Sequence, residues 1–223
     1  MRLKPYLLLS ALSFSVVMSA ISAHPAAASQ DLFSAIKDSA LKNCLLKGAN
    51  KHNWQQANQV TKIKCHGKKI NSLQGIEQFT ELTYLSLFNN NIASADLTPL
   101  SKLEYLNLAS NRLSSLQVAG LSQLSTLYLF KNKLKTLDMS GLAQVKKLRL
   151  TNNLLTELDI QPLLALEKAY LFDNKLEDLT VKGLTKLTLI DLKQNPMPDE
   201  VYDRYDQIDG ITIIHDGNAE DWQ

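Results

Sequence analysis

One asparagine recurs every 21 residues through the central part of this 223-residue chain, at Asn90, Asn111, Asn132, Asn153, Asn174 and Asn195. Each belongs to the same apolar pattern, L-x-x-L-x-L-x-x-N-x-L, whose first copy contains Leu82, Leu85, Leu87, Asn90 and Ile92. Six copies at a constant spacing indicate a repeat architecture, because one unit of this length cannot bury its own apolar side chains. Stacked units would instead share one continuous core.

The repeated motif resembles that of the leucine-rich repeat family over residues 60–197, where a degenerate first copy runs through Val60, Ile63, Cys65 and Ile70. Its length is similar to that of bacterial, internalin-like repeats, in which a short extended segment replaces a convex helix. The resemblance implies an α/β fold, a right-handed leucine-rich repeat solenoid with a parallel sheet on the concave face and a short irregular convex side. Alternate strand residues then point into the core. We expect the asparagines to satisfy backbone groups, a structural role.

Both ends of the repeat region need a cap, because the outermost units of a solenoid expose their core. Residues 29–59 are predicted to form a helical N-terminal cap, since residues 31–47 carry an apolar helical stripe. Asp31 is the expected N-cap of this helix, and Gly48 is its expected end. Residues 198–223 are predicted to form a C-terminal cap, with a helix near residues 199–207 and a strand at residues 211–214.

Residues 1–28 have the composition of a secretory signal peptide. Arg2 and Lys4 precede a mostly apolar stretch from Leu7 to Ala23, and the alanines at 26–28 supply the small residues of a cleavage site. An uncleaved membrane anchor is the alternative, but the serines within the stretch favour a cleaved signal. We therefore expect a secreted or periplasmic mature protein without stable membrane insertion.

The chain has two cysteines, Cys44 and Cys65. An oxidising compartment favours a disulfide between them, which would close a loop of about 22 residues and stabilise the fold by roughly 3 kcal/mol. Two buried thiols, or half of a metal site, are the alternatives. His52, His66 and His215 lack the close spacing of metal ligands, so neither a metal nor another cofactor is predicted.

The outward positions of the predicted strands form three columns, which lie two, four and six residues before each asparagine. Phenylalanine occupies the first column in every second repeat, and aromatic and basic residues recur in the other two. Exposed aromatic residues and arginine concentrate binding energy at interfaces. The candidate partner-binding residues are Tyr84, Phe88, Tyr105, Tyr128, Phe130, Lys147, Arg149, Lys168, Tyr170 and Phe172. Alternatively, the alternation of phenylalanine records only the duplication of a two-repeat unit, since aromatic residues suit exposed strands.

Charge and motif content argue against two broad classes of function. The 24 basic residues nearly balance the 22 acidic ones, so the chain lacks the overall positive charge of a general nucleic-acid binder, and no nucleic-acid partner is predicted. The sequence contains no catalytic motif, no phosphate-binding glycine loop and no Cys/His cluster. We predict neither catalytic residues nor enzymatic activity.

These observations together predict a non-enzymatic recognition module that binds a protein ligand through its concave aromatic face. Binding of carbohydrate or envelope glycan is the first alternative, because exposed rings stack on sugar faces. A structural, self-associating protein is the second. The basic N-terminal and acidic C-terminal ends of the mature chain support head-to-tail contacts, although such charged runs are more often solvated faces.

Overall fold

The computed structural model describes residues 32–217, so the predicted signal peptide and Asp31 lie outside the described residues. Within this range, ten short strands alternate with turns along the repeat region and the C-terminal cap. They are β1 (Lys62–Lys64), β2 (Tyr84–Ser86), β3 (Ser94–Asp96), β4 (Tyr105–Asn107), β5 (Ser115–Gln117), β6 (Thr126–Tyr128), β7 (Lys147–Arg149), β8 (Lys168–Tyr170), β9 (Leu189–Asp191) and β10 (Thr212–Ile214).

Eight of these strands form one parallel sheet in the order β1-β2-β4-β6-β7-β8-β9-β10. From β2 to β9, each strand residue pairs with the residue one full repeat further along the chain, as Leu106 does with Leu127. Strands β3 and β5 pair separately, and the remaining connections are short turns and two 3-10 helices. This arrangement confirms the predicted leucine-rich repeat solenoid with a parallel concave sheet and a short irregular convex side.

The central residue of each concave strand in the repeats points into the core. These residues are Ile63, Leu85, Leu106, Leu127, Leu148, Ala169 and Ile190, and none is more than 1% exposed. Burying a Leu or Ile side chain completely stabilises a fold by roughly 1.5–3 kcal/mol. Since every coil supplies such a residue, the core runs without interruption from β1 to β9.

The asparagine column joins adjacent coils through buried hydrogen bonds. The Asn132 side-chain amide donates to the carbonyl of Leu129 in its own coil at 2.9 Å and to the carbonyl of Leu108 in the preceding coil at 3.0 Å. Its Oδ1 accepts from the Leu113 N–H at 2.9 Å. The other asparagines of the column are also buried and repeat this pattern. The expected structural role is therefore confirmed.

The residue before each of these asparagines adopts a left-handed backbone conformation. The residues are Asn89, Ser110, Lys131, Asn152, Asp173 and Gln194, with φ between 54° and 58°. None is a glycine, so the conformation carries a steric cost of about 1–2 kcal/mol at Ser110, Lys131 and Gln194 and a smaller cost at the Asn and Asp residues. A hydrogen bond to the next coil offsets part of this cost, as between the Lys131 N–H and the Thr151 carbonyl at 2.9 Å.

The N-terminal cap contains helix α1 (Ser39–His52), which begins at a different residue from the one that the sequence predicts. Asp38 is its N-cap, and the Asp38 carboxylate accepts a hydrogen bond from the Leu41 N–H at 2.9 Å. The same carboxylate accepts from the N–H groups of Asn71 at 2.9 Å and Ser72 at 3.3 Å. The helix begins here because one side chain caps it and also attaches it to the first repeat.

The end of α1 also differs from the prediction. Gly48 lies inside the helix, which continues to the left-handed C-cap residue Asn53. Trp54 folds back against Gly48, where a Cβ atom would lie 2.8 Å from the indole ring. The glycine thus allows close approach of a buried ring, and the prediction that it ends the helix is wrong.

The disulfide predicted between Cys44 and Cys65 is present, with a Cα–Cα distance of 6.1 Å. Cys44 lies on α1, whereas Cys65 immediately follows β1 and is only 2% exposed. The bond therefore joins the cap covalently to the first coil. Leu41, Leu45 and Ala49 of the same helix are buried against the core.

The C-terminal cap consists of helix α2 (Asp199–Asp206) followed by β10, close to the predicted positions. Tyr202 and Tyr205 of α2 are buried. The Tyr205 hydroxyl donates to the Leu179 carbonyl at 2.7 Å, and Arg204 forms an ion pair with Asp178. The helix thereby covers the last coil of the repeat region.

Replacing Asn132 with alanine tests the hydrogen-bond column. The change removes the hydrogen bonds of the Asn132 amide. The Leu108 and Leu129 carbonyls keep hydrogen bonds from the Asn111 and Asn153 amides, but the Leu113 N–H is left buried without a partner, so we expect the free energy of unfolding to fall by about 2–3 kcal/mol. Urea denaturation measures this difference. The control is Asn71→Ala, because the exposed Asn71 side chain donates only to the Lys69 carbonyl. Equal losses for the two variants would contradict the proposed role of the column.

Replacing Asp38 with alanine tests the attachment of the cap. Burial alone would raise the pKa of the Asp38 carboxyl, but hydrogen bonds from backbone N–H groups, Asn71 first, lower it below its ordinary value of 3.8. A carboxylate with a lowered folded pKa stabilises the fold above its unfolded pKa, and this contribution is lost as the pH falls through the folded pKa.

We therefore expect Asp38→Ala to cost about 1–2 kcal/mol of unfolding free energy at pH 7. The difference from the unmodified protein should shrink as the pH falls below 3.8, the ordinary pKa of the carboxyl, and through its lowered folded pKa. Denaturation curves across this pH range provide the measurement. Asp203→Ala is the control, because Asp203 lies exposed on α2. A pH-independent difference for Asp38→Ala would argue against the carboxylate as the stabilising group.

Candidate recognition surface on the parallel sheet

The structure brings the ten predicted binding residues together on the outward face of the large sheet. The tyrosines, lysines and arginine lie at the first or third position of their strands, and each phenylalanine lies two residues after a strand. None of the ten is buried. We call this surface the concave patch: Tyr84, Phe88, Tyr105, Tyr128, Phe130, Lys147, Arg149, Lys168, Tyr170 and Phe172.

Three tyrosines of the concave patch form a continuous row across strands β2, β4 and β6. The rings of Tyr84 and Tyr105 are stacked, with centroids 4.3 Å apart and planes 3° apart. The Tyr105 ring then meets the Tyr128 ring nearly edge to face at 5.9 Å. Lys62 of β1 extends the row, because its Nζ lies 4.3 Å from the centroid of the Tyr84 ring.

A second row explains the alternation of phenylalanine. The rings of Phe88 and Phe130 belong to coils that are not adjacent, yet their centroids are 6.3 Å apart. The coil between them carries Ala109 at the equivalent position, and this outward alanine is completely buried. A small residue in the middle coil therefore allows the two rings to meet above it. His66 extends the row with an edge contact to Phe88 at 6.0 Å.

Arg149 connects the second row to the basic part of the concave patch. Its guanidinium carbon lies 5.2 Å from the centroid of the Phe130 ring and 5.3 Å from that of the Tyr170 ring. Cation–π contacts at these distances contribute about 0.5–1 kcal/mol each on exposed surfaces. The two rings thus restrain the position of the arginine side chain.

Lys147 and Lys168 complete the basic part and lie opposite each other in the register of β7 and β8. Phe172 is half-buried at the end of this region, and within residues 32–217 its ring contacts no other aromatic ring. Ring and cation contacts therefore join most of the candidates into the two rows, and the two lysines adjoin these rows through the strand register. Phe172 lies apart from both rows.

Burial changes the titration of two groups on this face. The pKa of His66 is lowered by burial and by the nearby charge of Lys64, and its Nε2 lies 2.7 Å from the Ser86 hydroxyl oxygen. The pKa of Tyr105 is raised by burial, and the neighbouring tyrosines add to this effect. Both shifts favour the uncharged form of the side chain.

Lys62 and His66 contact the aromatic rows but are not among the predicted candidates. Both occupy the outward columns of the degenerate first repeat, whose strand pairs with β2 at a slightly longer spacing than the regular period. Their positions in the outward columns are the sequence signal that could have placed them beside the aromatic rows. The contacts of Lys62 and His66 with the rings depend on side-chain conformation, which the sequence pattern does not define.

A cleft of about 670 Å³ adjoins the concave patch between α1 and β1, with Trp54, Lys47, Lys51, Lys62 and Lys64 among its lining residues. Within residues 32–217, no three His, Cys, Asp or Glu side chains are grouped so that they could hold a metal ion. The helices of the same described region are all too short or too polar to cross a membrane.

Comparison with known proteins identifies the class of the repeat region. Residues 80–123 match a family model described as leucine-rich repeats in two copies. The stacked coils and the asparagine column agree with this match, so the repeat region has the fold of a leucine-rich repeat solenoid. None of the curated proteins compared with the chain matches it significantly.

Matching solved structures include two internalins from Listeria monocytogenes. Internalin InlF is 22% identical, and the alignment covers 82% of this chain and 65% of InlF with a TM-score of 0.53. The functional domain of InlJ, described as including a cysteine ladder, is 25% identical over 64% of this chain and 46% of that domain, with a TM-score of 0.38.

A third solved structure is TLR13 in complex with ssRNA13, which is 28% identical to this chain. The alignment covers 61% of this chain and 22% of TLR13, with a TM-score of 0.53. The chain thus spans less than two thirds of the length of each of these three structures.

Proposed function

We propose that this protein is a secreted or periplasmic recognition module that binds a protein partner through the concave patch, without catalysis. The observation that carries this proposal is the pair of adjacent rows of ring and cation contacts that extend from Lys62 to Tyr170 on one exposed face. Such a surface offers aromatic and arginine side chains, which dominate the binding energy of protein interfaces.

Rigidity of the underlying sheet supports the proposal. The strands are hydrogen-bonded to their neighbours, and the leucines directly beneath the concave patch are completely buried. Ordering a flexible side chain on binding costs about 0.5–1.5 kcal/mol. The ring contacts have already ordered many side chains of the concave patch, so a partner that fits loses less entropy on binding.

The disulfide supports a location outside the cytoplasm. The bond between Cys44 and Cys65 joins the cap to the first coil, and such bonds persist in oxidising compartments. The N-terminal sequence agrees with this location, because residues 1–28 have the composition of a signal peptide.

Ring orientation favours a protein over a glycan as the ligand. Stacking on a sugar requires an exposed ring face, but Lys62 and Tyr105 come from strands on opposite sides of β2 and cover the two faces of the Tyr84 ring. The exposed parts of the Tyr84 side chain are therefore mainly its ring edge and its hydroxyl group. Edges and hydroxyls suit the mixed apolar and polar contacts of a protein interface.

The double variant Tyr128→Ser, Phe130→Ser tests the proposal. It removes one aromatic residue from each row, next to Arg149, so we expect at least about a tenfold loss of captured partner. The measurement is a crosslinking pull-down from envelope and host extracts with the mature protein, alongside a glycan array.

Leu154→Ser, Leu164→Ser is the matched control, because it removes two large exposed apolar side chains from loops outside the sheet. Circular dichroism spectra of both variants provide the check that they are folded. Partner capture that survives the aromatic double variant, or that the control abolishes equally, would exclude the concave patch as the binding site. Selective binding on the glycan array would favour the carbohydrate alternative.

A further inference from the structure

The nearly neutral composition of the chain conceals a strong separation of charge. The outward face of the sheet consists of the first and third residues of the seven concave strands in the repeats, together with the residue two positions after each strand. Asp191 is the one acidic residue at these positions, whereas six residues are basic: Lys62, Lys64, Lys147, Arg149, Lys168 and Lys193. The concave face is therefore strongly basic, although the complete chain has 24 basic and 22 acidic residues.

Three of these basic residues lie together on two adjacent strands. Lys147 and Arg149 are the first and third residues of β7, and Lys168 is the first residue of β8, directly opposite Lys147. We call these three residues the basic cluster. Strands in a sheet are about 4.8 Å apart, and like charges placed directly opposite each other are unfavourable.

No carboxylate compensates this repulsion within the described chain. The ion pairs found among residues 32–217 involve Lys102, Arg204 and His215, and none involves the basic cluster. Asp191 lies on β9 opposite Tyr170, and its side chain accepts a hydrogen bond from the Lys193 N–H. The basic cluster thus carries three exposed positive charges that an external anion can neutralise.

Arg149 is already oriented to receive such an anion. The rings of Phe130 and Tyr170 both contact its guanidinium group, and within residues 32–217 its N–H groups have no hydrogen-bond acceptor. A guanidinium group held in this way can donate two parallel hydrogen bonds to one carboxylate, a geometry that lysine cannot provide. Lys147 and Lys168 offer further donors beside it.

We propose that the basic cluster is a carboxylate-binding site that receives an acidic segment of the protein partner, while an apolar residue of the same segment packs on Tyr128 and Phe130. This inference rests on the proposed function and adds the chemistry of the partner to it. Adjacent aromatic and basic groups select a ligand in which carboxylates stand next to an apolar side chain. The site adds specificity and a salt-sensitive association rate to the aromatic contacts.

The placement of charge favours an acidic protein segment over a nucleic acid or a sulfated glycan. A polyanion is bound by cations distributed along its whole path. Here the basic cluster is separated from Lys62 and Lys64 by three strands, β2, β4 and β6, which carry no basic outward residue. Of the tyrosine rings between them, those of Tyr84 and Tyr105 stack on each other and Lys62 lies over the Tyr84 ring, so few ring faces remain for bases.

A pair of fluorescein-labelled peptides tests the site directly by fluorescence anisotropy. The acidic probe is Glu-Phe-Glu-Glu-Phe-Glu, and the neutral probe carries Gln in place of Glu. We expect the full-length protein to bind the acidic probe at least about tenfold more tightly at roughly 20 mM NaCl, and this preference to disappear at roughly 500 mM NaCl.

Lys147→Glu, Lys168→Glu should abolish the preference for the acidic probe. The matched control, Lys182→Glu, Lys186→Glu, makes the same change in net charge at two exposed lysines outside the concave face and should retain the preference. Equal affinity for the two probes, or equal loss in both variants, would overturn the inference. The inference would also be overturned if heparin or single-stranded RNA displaced the labelled acidic probe more effectively than the unlabelled acidic peptide does.

Capture of the partner by the two double variants in the pull-down distinguishes failure of this inference from failure of the proposed function. A partner that Lys147→Glu, Lys168→Glu still captures fully, but that Tyr128→Ser, Phe130→Ser loses, would refute the carboxylate site and leave the concave patch as the binding surface. Retention of the partner by both double variants would refute the proposed function itself. Loss of capture in both, with retention in the lysine control, supports both proposals.

Discussion

The buried asparagine amides determine how each coil lies on its neighbour. Every amide satisfies carbonyl and N–H groups from two adjacent coils, as Asn132 does with Leu108, Leu113 and Leu129. Because unpaired buried polar groups are costly, a coil displaced along the sheet would lose these bonds. The constant register between strands follows, and with it the alignment of outward side chains into columns. The aromatic contacts on the concave face depend on this alignment.

The sequence was sufficient to predict features that repeat. The solenoid, the inward leucines, the asparagine column and the outward position of the ten candidates all follow from the constant period of the motif. The disulfide between Cys44 and Cys65 was also predictable, because the chain has no other cysteine with which either could pair. The role of the ten candidates in binding stays a proposal, since position on a face does not by itself define a partner.

Features that depend on contacts distant in sequence were not predictable from local patterns. The start of α1 at Asp38 depends on hydrogen bonds from Asn71 and Ser72 in the first repeat. The left-handed residues before the asparagines share a position but not a residue type, as Ser110 and Lys131 illustrate. Likewise, the basic cluster is invisible in the net charge, because acidic residues elsewhere in the chain balance it.

The alternation of Phe88, Ala109 and Phe130 makes a pair of coils, rather than a single coil, the natural unit of growth for this surface. Gain or loss of two complete coils by duplication or recombination would preserve both the register and the spacing of the rings. Gain or loss of a single coil would preserve the register but would bring two phenylalanines, or two small residues, into adjacent coils. Evolution could therefore lengthen or shorten such a protein by even numbers of coils while keeping the spacing of the rings on its concave face.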